Sequence, residues 1–383
     1  NSFSFGVPKK TTRSSSFSLA DEGVEETISI SDSFLFSCSS NDPDVTPAPI
    51  PNNPGTDDFI RAADMSYLPL IESEGNIFKK NGVAENAITT LKNAGCNTIR
   101  IRIWKNPSTT SSSLAEVKAL ALRVKQAGMK VWLTVHYSDT WADPGNQTPP
   151  SDWTSLSFAN LKTAVSTYTT LLMTEIQPDI IQIGNEINSG FLWPQGHLIN
   201  NESQCLQLIS AASTAIRNQS ATTKIMIHYA GIGSGATWFF NKMSSINYDY
   251  IGLSYYPVWH GKNLSDVNAT ITSLGQTHNK KVIIAETAYP FTLNWNDWTN
   301  NIIGQNDQLI TTYPASNDGQ KNFILAIKNL VKQNSKGLGF CYWGAEWVAF
   351  RGPTATNGSS WENQALWDFN NNALPVMDAF SQN

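Results

Sequence analysis

The most constraining feature of the chain is an alternation that starts near Phe59 and continues almost to the end. Short runs rich in Ile, Val and aromatic residues are each followed by a longer segment of 3.6-residue periodicity. Eight such runs can be counted: Phe59–Ser66, Thr98–Trp104, Lys130–His136, Ile180–Glu186, Lys224–Tyr229, Tyr250–Tyr256, Lys281–Glu286 and Gly337–Trp343. The clearest helical segments are Leu114–Ala127, Phe158–Ile176, Cys205–Arg217 and Gln320–Lys332, and Gly95 and Gly128 fall where left-handed C-terminal caps are expected. Eight β-then-α units in one chain predict an α/β fold, a single (β/α)8 barrel over residues 58–383. No GxGxxG or GxxxxGK follows any of the strands, which removes the nucleotide-binding α/β folds.

Residues 1–57 read differently. They are rich in Ser, Pro, Asn and Asp and can bury little, so they are expected to be a signal-like, low-complexity tail and linker. Within them FLFSCSSND resembles the end of a bacterial lipoprotein signal, without the apolar stretch that should precede it. Two readings stay open for Cys38, a lipid anchor or an ordinary cysteine in a polar tail. Export to the cell surface or the extracellular space is the expectation.

The net charge of -5 and a pI near 5.6, with no basic cluster, argue against nucleic acid as a partner. No apolar stretch approaches the roughly 20 residues of a membrane-spanning helix. The four cysteines and five histidines show no metal-ligand spacing. Thirteen Trp, eleven Tyr and seventeen Phe supply flat faces that fill cores and stack on sugars.

Barrels of this class carry their sites at the carboxyl ends of the strands. That rule selects Asp64, Arg102, Trp104, His136, Asp139, Asn185, Glu186, His228, Tyr255, Tyr256, Glu286 and Trp343. Glu186, at the tip of IIQIGNEIN, and Glu286, in IIAETAYPF, end strands four and seven and can face each other across the mouth. Two facing carboxylates suggest glycosidic bond cleavage, one protonating the leaving oxygen and one attacking the anomeric carbon. The bland alternative is that either acid is a surface residue in a salt bridge.

With GCNTIRIRIWKNP, VWLTVHYSDTWADPGNQTPP, GFLWPQG, LSYYPVW, FCYWGAEW and NQALWDF added in this order, the chain resembles glycoside hydrolase family 53, the endo-β-1,4-galactanases. The resemblance implies that Glu186 is the acid/base and Glu286 the nucleophile, acting with retention. It implies that Asn185 bonds the sugar 2-hydroxyl, that Arg102 keeps the nucleophile ionised while Arg100 is structural, and that Tyr256 orients the nucleophile. Trp343 would floor the sugar subsite, His136 and His228 would be polar residues of the site, and Trp347, Asp64 and Asp139 would be sugar contacts.

No cofactor is implied for catalysis. A structural calcium is expected on Asp297, Asn301, Ser359 and Glu362, although Thr299 stands where the family has His and Glu362 where it has Asp; an ordinary polar loop contact is the alternative. The expected substrate is β-1,4-galactan and galacto-oligosaccharides, as in pectin side chains and type I arabinogalactan, cleaved by a monomer. The rivals are a β-1,4-mannanase or endoglucanase on the same barrel, and a non-catalytic surface glycan-binding barrel.

Overall fold

The structure is a computed structural model, and it describes residues 58–382. Cys38 and the tail around it lie outside the described residues.

Eight parallel strands close into a barrel in chain order: β1 Ile60–Asp64, β2 Thr98–Ile103, β3 Lys130–Val135, β4 Ile180–Ile183, β5 Lys224–Ala230, β6 Tyr250–Ser254, β7 Lys281–Thr287 and β8 Gly337–Tyr342. β1 pairs with both β2 and β8, so no edge is left open. All eight expected strands are present, with ends that differ by a few residues. A two-stranded hairpin, Lys79–Lys80 with Val83–Ala84, was not expected.

Local sequence explains the helices between the strands. Ser113, Ser157 and Ser316 each accept a backbone N–H in the first turn of the helices Leu114–Gln126, Phe158–Ile176 and Asn317–Gln333. Gly95 closes the helix Ala87–Ala94 with φ +105°, the left-handed cap its position predicted. The apolar faces of these helices, Val165, Leu172 and Ile327 among them, pack on the outward residues of the strands.

The inward residues divide by depth. Ile60, Ala62, Trp132, Ile180, Met226, Ile283, Ala285 and Cys341 form a separate apolar cluster inside the barrel. Two residues further along the same strand faces stand Asp64, Thr134, Gln182 and His228, joined by Arg100 and Ser254, all buried. The change from apolar to polar marks the floor of the mouth.

Candidate active site

β4 is short because Gly184 ends it. Its φ is +73°, and a Cβ there would lie 2.4 Å from Cγ2 of Ile187, so the turn requires glycine. Two residues on, Glu186 itself adopts φ +48°, a left-handed conformation that costs a non-glycine residue about 1 kcal/mol or more and clusters at functional sites. The turn lifts the carboxyl off the strand, half-buried at the mouth. Gln147 fastens the same turn by donating to the carbonyls of Asn185 at 2.8 Å and Glu186 at 3.4 Å.

Glu286 reaches the mouth by a different device. β7 pairs Ile284 with Leu253 but then Glu286 with Ser254, and on its other side Ile284 with Phe340 but Thr287 with Tyr342. One extra residue is thus accommodated in a β-bulge. Ala285 already faces inward with Ile283, so regular alternation would turn Glu286 outward; the bulge returns it to the interior.

The two carboxyls sit in opposed surroundings. Glu286 meets Nη2 of Arg100 at 2.8 Å, and Oε2 accepts the Tyr256 hydroxyl at 3.2 Å. Arg100 also pairs with Asp64 at 3.1 Å and donates to Thr134 at 2.9 Å and to Oδ1 of Asn185 at 2.9 Å. Burial opposes the guanidinium charge, but Glu286 and Asp64 outweigh it and hold the arginine pKa up. Among the described residues Glu186 has no cation in contact, Arg100 acting on it only from a distance. Its Oε1 accepts from Ser254 Oγ at 2.6 Å.

Behind Ser254, His228 Nε2 lies 2.9 Å from the serine oxygen. Three groups face His228 Nδ1, the Gln182 amide nitrogen at 3.0 Å, Asn185 Oδ1 at 3.2 Å and the backbone N–H of Glu186 at 3.3 Å; the backbone N–H can only donate, so Nδ1 accepts and the ring hydrogen sits on Nε2. Burial, with Arg100 nearby, keeps this imidazole neutral, well below its ordinary pKa. The result is a chain of donors, His228 to Ser254 to Glu186.

Burial raises both carboxyls. For Glu186, burial and then repulsion by Glu286 carry the pKa up to about 8. For Glu286, burial also acts upward, but Arg100 and the Tyr256 hydroxyl oppose it. The pair therefore loses its first proton from Glu286 and keeps the second on Glu186 at neutral pH. An oxygen of each lies within 4.8 Å of the other and of a His228 ring nitrogen. His228 has both nitrogens engaged, so the cluster is arranged for proton chemistry rather than for a metal ion.

A cavity of about 480 Å³ opens above the pair, with Trp141, Trp259, Trp343, Trp347 and Trp361 in its wall beside Asp143, Asn185 and His260. Asn185 donates one amide hydrogen to the Ala142 carbonyl at 2.9 Å, and among the described residues nothing takes the other. Asn185, Glu186, Tyr256, Glu286, Trp343 and Trp347 from the sequence reading come together here.

The other expected residues stand elsewhere. Arg102 does not touch Glu286, contrary to expectation; the guanidinium in contact is that of Arg100. Both arginines face inward, but an arginine one pleat below the mouth spans the distance upward, whereas Arg102 at the strand end overshoots. Arg102 lies within 4.0–4.5 Å of the ring centroids of Tyr67, Trp104 and Trp141 and donates to Ser112 at 3.1 Å. Asp64 is bound to Arg100 and Ser66 beneath the cavity. Asp139 braces loops by accepting from Asn106 and Ser151, outside the cavity wall. His136 supports the wall from behind, its Nδ1 accepting the Ala142 N–H at 3.0 Å.

Ser254, Trp141, Trp361 and His260 were missed. Trp141 lay in VWLTVHYSDTWADPGNQTPP, but nothing local distinguishes a wall tryptophan from a core one.

Next to this site, Asp297 Oδ2, Asn301 Oδ1 and Glu362 Oε2 are buried without a hydrogen-bond partner among the described residues. Burial raises the Glu362 pKa, and Asp297 adds repulsion. Three such oxygens, two of them from mutually repelling acids, fit a hard cation. Ser359 does not join them, since its hydroxyl donates to the Trp347 carbonyl at 2.7 Å and accepts from Trp361 N–H.

Comparison with known proteins agrees with this geometry. Residues 60–380 match the model of glycosyl hydrolase family 53. An arabinogalactan endo-β-1,4-galactanase of Cellvibrio japonicus is 34% identical over 337 residues, 83% of this chain and 89% of that protein. A galactanase of the same description from Aspergillus niger is 33% identical over 327 residues, covering 80% and 90%. Among solved structures, the Ignisphaera aggregans GH53 catalytic domain superposes with a TM-score of 0.80 at 37% identity, over 85% of this chain and 97% of that one. A structure from a study of two fungal β-1,4-galactanases gives 0.74 at 30% identity, over 85% and 99%.

Proposed function

The chain belongs to glycosyl hydrolase family 53, and from that premise we propose how it works as an endo-β-1,4-galactanase: Glu286 is the nucleophile and Glu186 the acid/base of a retaining double displacement. The observation that carries the assignment is the pair itself. One oxygen of each lies within 4.8 Å of the other, which supports the short carboxyl separation of a retaining enzyme over the roughly 6.5 Å or more that an inverting enzyme leaves for water.

Arg100 and Tyr256 hold Glu286 as the charged attacking group. Glu186, protonated near neutrality, gives its hydrogen to the leaving glycosidic oxygen. Once Glu286 is esterified by the sugar, its charge is gone, and with it one of the causes that raised the Glu186 pKa. Glu186 then takes a proton from the water that releases the product. Asn185, fixed by Arg100 and Ala142, offers its free amide hydrogen to the sugar beside the reacting carbon. The tryptophan wall supports galactose as substrate through ring faces that stack on sugars.

We further propose that Asp297, Asn301 and Glu362 hold a structural calcium that ties the loop after β7 to the loop after β8. The protein would act outside the cell, because a polysaccharide substrate is too large to be met elsewhere. Purified protein incubated with galactan tests the activity: release of reducing ends is expected, with none from mannan or cellulose. A protein that binds galactan without releasing ends would instead be a glycan-binding barrel.

A further inference from the structure

We propose that His260 is a substrate-binding residue that donates its Nε2 hydrogen to a hydroxyl of the polysaccharide in the cleft, an inference that rests on the galactanase reading above.

His260 closes the short helix Pro257–His260, which leaves the barrel directly after Tyr256. One side of its ring is fixed, because Nδ1 accepts the backbone N–H of Tyr256 at 3.0 Å. A ring nitrogen that accepts carries no hydrogen, so the neutral imidazole must hold its hydrogen on Nε2. Burial lowers the His260 pKa to about 4, so this neutral form persists through mildly acidic and neutral solution.

Nε2 has a hydrogen to give and no taker in the protein. Among the described residues none bonds to it, and it is not one of the polar atoms sealed inside the fold. The side chain lines the cavity beside Ala230 and Trp259. Gly231 adjoins the ring edge that carries Nε2: a Cβ there would sit 3.5 Å from Cδ2 and 3.8 Å from Nε2, and its absence leaves that edge clear. A fixed ring with an unspent donor, in a cavity whose wall carries five indoles, is the arrangement that orients a polar ligand.

The two ring nitrogens can be tested separately. Asparagine in place of His260 keeps an acceptor near Nδ1 but has nothing at Nε2. Glutamine places an amide nitrogen near Nε2 and gives up the acceptor to Tyr256. His260→Asn should raise KM for galactan about five-fold, the loss of one neutral hydrogen bond, with kcat and Tm unchanged. His260→Gln should keep KM within about two-fold of wild type.

A His260→Asn variant with wild-type KM would overturn the inference. So would a His260→Gln variant that loses kcat and Tm while His260→Asn keeps both, since the histidine would then serve only to cap Tyr256. A wild-type protein that released no reducing ends would overturn the galactanase reading itself, and with it the ligand named here.

Discussion

The lower barrel interior and the layer above it are built from the same strands, two residues apart on the same faces. Below, Ile60, Trp132, Ile180, Met226 and Ile283 exclude water. Above, Arg100 rests with its guanidinium carbon 5.6 Å from the ring centroid of Trp132 and begins a network through Asp64, Asn185 and Glu286. The lower layer requires apolar volume, and several residue types can supply that. The upper layer requires particular atoms at particular places, because its product is a pair of carboxyls with different proton affinities. One layer therefore sets whether the barrel stands and the other what it does.

The sharpest way to break that contrast is to change the acids. Glu286→Ala should reduce kcat/KM on galactan by about a thousand-fold or more, and Glu186→Gln by roughly 100- to 10,000-fold, with melting temperatures close to wild type. Next comes Arg100→Met. Loss of the cation lets the Glu286 pKa rise, so the acid limb of the pH–rate profile should move to higher pH and kcat/KM at neutrality should fall by about 100-fold. Arg102→Met should leave that limb in place, since Arg102 touches aromatic rings and not Glu286.

In the lower layer the effect should reverse. Ile283→Ala should cost about 2–5 kcal/mol in denaturant unfolding, with the kcat of the folded fraction unchanged. Ser254→Ala is subtler. The Ser254 hydroxyl stabilises ionised Glu186, so its removal should raise the Glu186 pKa and shift the alkaline limb, expected near pH 8, upward. The smallest effect concerns the loops outside the barrel. Added calcium should raise Tm by a few degrees in wild type and not in Asp297→Ala.

The lower layer was also the more legible one. Burial on both faces leaves a continuous apolar run in the sequence, and each of the eight runs became a strand. Glu186 was readable too, because the run of isoleucines ends in Gly-Asn-Glu. What escaped depends on reach and register rather than residue type. Arg100 and Arg102 share a strand face and have side chains of one length, so only their height along the strand decides which one meets Glu286. The bulge in β7 leaves no mark in KVIIAET, yet it turns Glu286 inward. Ser254 looks like any serine ending a strand until His228 and Glu186 arrive from β5 and the turn after β4.

The central claim, that Glu286 attacks while Glu186 transfers the proton, is tested most directly by trapping the intermediate. Protein treated with a 2-fluoro-galactoside carrying an activated leaving group should gain the mass of one sugar. Peptide mass spectrometry should place that sugar on the peptide carrying Glu286. A sugar on Glu186 would contradict the assignment, as would hydrolysis of the reagent without any covalent adduct and with inverted product.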